Sequence, residues 1–206
     1  HAEHDKFLPQ EAVQVATPEE IKKYGHRPLP MLNVWSRTQD GRRKCRSCIA
    51  GNFQPLDPAA QRWTAQAEPS SIFVAAKMAA MKKWMVSKID VQGAFLNAPM
   101  PSDKLVVVAP PVQWVRWGLV PPDTLWTLNK AVYGLRESPR LWADERDQKL
   151  RQLRWSDPSV KGSRLFLEQC SADSQLFNNC IQGVCTLNNG YCDFKGHGVE
   201  SEHRSF

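Results

Sequence analysis

The chain has few of the features that mark membrane-spanning or disulfide-stapled proteins. None of its apolar runs approaches the about 18 residues that a membrane-spanning helix needs, so no membrane partner is expected. Its N-terminus lacks the basic-then-apolar layout of a secretory leader. Of the 6 cysteines, Cys45 and Cys48 form a C-x-x-C, but Cys170, Cys180, Cys185 and Cys192 give no second close pair. Cys185, Cys192, His197 and His203 carry metal-ligating groups at spacings that match no structural zinc module. A chain with reduced thiols in an intracellular setting, cytoplasmic or nuclear, is therefore the expectation.

What is present suits a globular chain. The 206 residues suffice for one domain with a real core, or a domain with tails. Hydrophobic residues make up 42% and charged residues 23%, the ordinary proportions of a folded protein. A net charge of +6 leans toward an anionic partner without requiring one. The chain begins at His1 rather than methionine, so excision from something longer is expected.

Residues 1–30 read as a polar lead-in broken by Pro9, Pro18, Pro28 and Pro30. Within it, Thr17-Pro18-Glu19-Glu20 supplies a cap, a proline for the first helical position and two acids, predicting a short helix to about residue 24. Residues 31–52 predict a hairpin turning at Asp40-Gly41 and crowded with Arg42, Arg43, Lys44 and Arg46. Residues 69–84 predict a helix with apolar stripes on two sides, Ile72, Ala75, Ala76, Ala79 and Ala80 on one and Val74, Met78 and Met81 on the other. That pattern predicts a largely buried helix, with Lys77, Lys82 and Lys83 left to solvent. Further strands are expected at 105–108 and 125–132, a helix at 138–153 capped by Ser138 with Pro139 first inside, and a last hairpin at 164–177.

One stretch carries more chemistry than the rest. Residues 86–91 have the alternation and β-branching of a strand, and into it is set one carboxylate, Asp90, between Ile89 and Val91. A carboxylate at a strand end is a natural ligand for a hard cation, since Mg²⁺ takes one or two carboxylates and completes its shell with phosphate and water. A strand aspartate that caps the next turn is the plainer reading.

Two stretches together resemble the reverse transcriptase domain of Ty1/copia-type retrotransposons. In the first, Asp90, Val91, Ala94, Phe95, Leu96 and Asn97 match the family's first catalytic motif. In the second, Leu128, Lys130, Tyr133, Gly134, Leu135, Pro139, Arg140 and Trp142 match its Leu-x-Lys-x-x-Tyr-Gly-Leu-x-x-x-Pro-Arg-x-Trp signature. The resemblance covers residues 31–179. It implies an α+β fold, an incomplete right-hand polymerase of fingers and palm, with an antiparallel palm sheet backed by helices and no thumb. Residues 180–206 then form a degenerate or disordered tail.

The implied activity is RNA-directed DNA polymerisation, an in-line phosphoryl transfer assisted by two Mg²⁺ ions, with Mn²⁺ as an alternative. The implied partners are an RNA or DNA template with its primer, deoxynucleoside triphosphates and the rest of a Pol polyprotein. By the same resemblance Asp90 and the Val91 carbonyl hold metal. Lys44 and Arg46 on the hairpin reach the triphosphate, and Phe95 floors the sugar and leaves no room for a 2′-hydroxyl. Tyr133, Gly134, Arg136 and Ser138 seat the nucleotide, where the start of a helix also favours anions. The plainer alternatives are a solvated basic hairpin and a core phenylalanine.

The chain departs from the family at Cys45, Ser47 and Cys48, where small and aliphatic residues are usual, and it contains no Asp-Asp pair. The nearest counterpart to that second carboxylate motif is Tyr191-Cys192-Asp193-Phe194, which makes Asp193 the second candidate catalytic and metal residue. Its flanks, with Gly190, Gly196 and Gly198, do not read as paired strands. Weak or absent catalysis is expected, and two further readings stand beside it: a non-catalytic nucleic-acid-binding remnant, and a translated pseudogene fragment.

Overall fold

A computed structural model describes residues 7, 11–58, 64, 66–83, 86, 90–156, 165–171 and 173–181. The chain divides into two compact units, residues 1–64 with 91–148, and residues 65–90 with 149–206.

The first unit is built on a five-stranded sheet. Its strands are β1 (Val13–Val15), β2 (Leu29–Arg37), β3 (Arg43–Ile49), β4 (Val107–Ala109) and β5 (Trp126–Leu128), in the spatial order β1-β5-β4-β2-β3. An antiparallel sheet was the expectation, and the sheet is mixed. β2 runs parallel to β4, whereas β1–β5, β4–β5 and β2–β3 are antiparallel. Parallel neighbours need a long crossover, and the chain between β2 and β4 supplies one. Residues that read as a polar lead-in contribute to this sheet, since β1 pairs with β5 and Ala12 and Val13 are buried.

The expected short helix forms as α1 (Pro18–Tyr24). Thr17 Oγ1 accepts from the Glu20 amide while the Glu20 carboxylate accepts from the Thr17 amide, a reciprocal capping box. Gly25, at φ 63°, ends it in the left-handed conformation that favours glycine. The unit's core gathers Leu29, Met31, Ile49, Val108, Trp126 and Leu128 from the sheet with Val132 and Leu135 from the loop beyond β5. Trp114, on the short helix α2 (Val112–Arg116) in a connection that carries no clear signal in sequence, packs against Trp126 at 6.0 Å and Phe7 at 5.9 Å between ring centroids.

The β2–β3 hairpin leaves the core as it nears its turn. Leu29, Met31, Ser47 and Ile49 are buried, whereas Val34, Trp35, Ser36 and Arg37 are exposed. Asn33 and Ser47 face each other in the ladder, and the serine hydroxyl donates to the Asn33 side-chain carbonyl at 2.7 Å. At the turn the Arg42 guanidinium pairs with Asp40, and the Thr38 hydroxyl donates to the same carboxylate.

The last helix of this fold, α3 (Ser138–Gln152), covers almost the expected range. Its exposed carboxylate Asp144 pairs with Arg140 one turn earlier at 2.9 Å, and Asp147 pairs with Arg146, so these acids serve the helix itself.

In the second unit, helix α4 (Pro69–Lys82) precedes a three-stranded antiparallel sheet of β6 (Arg154–Trp155), β7 (Leu165–Gln169) and β8 (Phe177–Ile181). The Asp173 carboxylate accepts from the Glu68 amide at the start of α4 at 3.0 Å and from the Gln175 amide in the β7–β8 turn at 2.9 Å. Donation from the Gln175 and Glu68 amides and the Ser71 hydroxyl holds this carboxyl below its ordinary range.

The expectation that α4 is buried is corrected. Ala79 is its one buried residue, while Ile72, Phe73, Val74 and Met81 are exposed. Helical spacing tells which side chains share a face; it does not tell whether anything covers that face.

Candidate functional site

The loop between β5 and α3, residues 129–137, is fixed by backbone geometry before any side chain acts. The Ile49 amide at the end of β3 donates to the Tyr133 carbonyl at 2.7 Å. Gly134 follows at φ 90°, and a Cβ there would lie 2.0 Å from the Ile49 carbonyl oxygen. A Cβ on Gly51 would likewise lie 2.0 Å from the Gly134 carbonyl oxygen. Both positions therefore require glycine, because two backbones touch where a side chain would have to sit. Gly134 thus lies against the root of the basic hairpin.

Tyr133, beside that contact, meets Phe95. Gly93, at φ 59°, turns the chain into a 3-10 turn at Ala94–Asn97, which buries Leu96 and leaves Phe95 half-buried. The Phe95 and Tyr133 rings pack edge to face with centroids 4.8 Å apart. Residues from the two motif-bearing stretches thus come together in one half-exposed aromatic pair.

Ser138 differs from its expected part. It is buried, and its hydroxyl donates to the Val132 carbonyl at 2.6 Å, so it closes the loop and does not cap the helix. The helix starts at Ser138 itself, with the Leu141 amide bonding to the Glu137 carbonyl at 2.9 Å. Arg136 also faces inward: its amide donates to Gln54 Oε1 at 3.2 Å and its guanidinium to the Asn52 carbonyl at 3.2 Å.

Lys44 and Arg46 lie on β3 opposite Ser36 and Val34, and both are exposed. Alternation along the strand puts them on one face with Cys48. Cys45 and Cys48, three residues apart, fall on opposite faces.

Asp90 belongs to the second unit and is exposed. The strand expected at 86–91 is not seen among its described residues. Val86, Asp90 and Val91 lie outside any strand, and all three are exposed. Residues 87–89 and Asp193 lie outside the described residues. An exposed carboxylate is the kind of group that can hold a hard cation whose remaining ligands come from phosphate and water. Among the described residues no cluster of three or more His, Cys, Asp or Glu side chains gathers.

Three residues that hold this site together carry no signal singled out above: Gln54, Lys104 and Glu137. Gln54 Nε2 donates to Glu137 Oε2 at 2.6 Å and Lys104 Nζ to Oε1 at 2.5 Å. Burial raises the Glu137 carboxyl, but donation from Gln54 and Lys104, with the lysine's charge, outweighs it and leaves the group below its ordinary range. Glu137 directly precedes the helix start, and its partners are remote from it in sequence.

The fold is that of an α+β chain in which Phe95 and Tyr133, one from each of two sequence-distant motifs, meet. The reverse transcriptase (RNA-dependent DNA polymerase) family matches residues 15–175, and the chain belongs to that family. Among curated proteins, the retrovirus-related Pol polyprotein from transposon RE2 of Arabidopsis thaliana is 30% identical over 94 residues, covering 44% of this chain. The chain spans 6% of that polyprotein's length. No solved structure matches it. The resemblance to a reverse transcriptase domain of the copia type stands with both matches.

Proposed function

We propose that the chain is the fingers and palm portion of a copia-type RNA-directed DNA polymerase, acting on a primed RNA or DNA template with deoxynucleoside triphosphates within a longer Pol polyprotein. The observation that carries this reading is the Phe95–Tyr133 pair, in which the aromatic residue of the Asp90 motif packs on the tyrosine of the second motif. Its half-exposed rings offer a flat, rigid surface for a sugar and base, and Gly134 keeps the loop against the hairpin that carries Lys44 and Arg46. These cations are the candidates for triphosphate contact.

Asp90 and the Val91 carbonyl are the candidate ligands for Mg²⁺, which when bound neutralises charge on the reacting phosphates. Asp193 is the candidate for the second carboxylate. Without an Asp-Asp pair the expected rate is low, because each missing source of charge neutralisation costs several kcal/mol of barrier. Primer extension with Mg²⁺ and deoxynucleotides tests the reading: slow extension abolished in Asp90→Ala supports it, and extension that survives Asp90→Ala refutes the role given to Asp90.

A second reading, a non-catalytic nucleic-acid-binding remnant, is favoured by the exposure of Arg37, Arg43, Lys44 and Arg46 on the hairpin, none of which needs Asp90 to hold a phosphate. It calls for duplex binding that falls steeply with salt in a chain that extends no primer; a flat salt response excludes it.

A further inference from the structure

We propose that Glu137 is a positioning residue: its buried carboxylate locks the Tyr133–Ser138 loop to the 51–54 turn and thereby sets where Tyr133, with Phe95, stands relative to the root of the basic hairpin. The proposal rests on the nucleotide-site reading above and adds to it the group that holds the site in register.

Two segments remote in sequence from Glu137 converge on its carboxylate. Gln54 donates to one oxygen and Lys104 to the other, so neither oxygen of this buried group lacks a protein donor. Gln54 is oriented at both ends, because its carbonyl oxygen accepts the Arg136 amide from the residue before Glu137. Both residues are buried, at 7% exposure for Gln54 and 5% for Glu137. An apolar pair of similar volume would fill such a place with no charge to desolvate. What a carboxylate and an amide add is direction, since each bond is made at only one loop position. The lock lies on the same two segments as the Ile49–Tyr133 backbone bond and the Gly51–Gly134 contact, so loosening it loosens the mount of Tyr133.

The test uses the whole chain and three variants: Glu137→Ala, Glu137→Gln, and the exchange Gln54→Glu with Glu137→Gln, which restores one acid and one amide in reversed positions. Amide hydrogen exchange is read at Ile49 and Arg136, whose bonds span the two segments, and at β4 as a reference. Binding of Mg²⁺·dATP to the chain with a matched primer–template is read in parallel. Glu137→Ala is expected to speed exchange at Ile49 and Arg136 about tenfold while β4 is unchanged, and to weaken dATP binding about tenfold, with the exchange variant recovering most of both. Acceleration spread equally over β4, or none at Ile49 and Arg136, overturns the proposal. Local acceleration with dATP affinity unchanged overturns the claim that the lock serves the site. A wild-type chain that binds no dATP refutes the nucleotide reading itself, and is told apart by the exchange pattern, which does not depend on nucleotide.

Discussion

The 129–137 loop and helix α4 are opposites. The loop is short and partly polar in sequence, yet Ala131, Val132, Leu135 and Glu137 are buried and the backbone is pinned at Ile49. The helix is rich in alanine and methionine, yet Phe73 and Met81 stand open to solvent, at 75% and 72% exposure. Composition therefore misjudges both. The loop is held by partners it meets only in three dimensions, Gln54 and Lys104 among them, and the helix exposes an apolar face that periodicity alone would bury.

The sharpest way to break this contrast is Gly134→Ala. The added Cβ meets the Ile49 carbonyl at 2.0 Å in a left-handed backbone, so strain and clash combine. We expect a loss of about 3 kcal/mol or more in the first unit, read by denaturant unfolding of its tryptophan fluorescence. A loss under about 1 kcal/mol would mean the loop is free to move away.

Next comes Glu137→Ala, expected to cost about 2 kcal/mol by leaving Lys104 and Gln54 without their acceptor. Its pH signature is distinct. The folded carboxyl titrates below the ordinary value of 4.5, so its contribution is fully present above that value and is lost as pH falls through the lower folded value. Acid unfolding should thus begin at higher pH in wild type than in Glu137→Gln when each is referred to its own stability at neutral pH. Superimposed acid limbs would remove the charge from the account.

A purely local signal should weigh less. Thr17→Ala removes one half of the capping box and is expected to cost about 1 kcal/mol. Smallest of all is Phe73→Ser on α4, expected within about 0.5 kcal/mol of wild type in thermal unfolding. A much larger loss would show that this face is covered in solution.

How much was legible follows the same division. The Thr17 cap, the Asp40-Gly41 turn and the span of α3 are local, and each was readable because neighbouring residues decide it. The Phe95–Tyr133 meeting was implied by two motifs that resemble one family, not by any spacing between them. The mixed sheet, the buried Ser138 hydroxyl and the Gln54–Glu137–Lys104 lock depend on contacts between distant segments, which one sequence does not display. The strand expected around Asp90 is met by the described residues only at its ends, and there Val86, Asp90 and Val91 are in no strand; alternation gives a strand's pattern without naming a neighbour to pair with.

The most direct measurement of the central claim, that Phe95 and Tyr133 receive a nucleotide, is the affinity of the chain with a matched primer–template for Mg²⁺·dATP against Mg²⁺·ATP. The account predicts at least tenfold tighter binding of dATP, reduced to about twofold or less in Phe95→Ala as the ring that excludes the 2′-hydroxyl is removed. Equal affinities in the wild-type chain, or a preference untouched by Phe95→Ala, would contradict it.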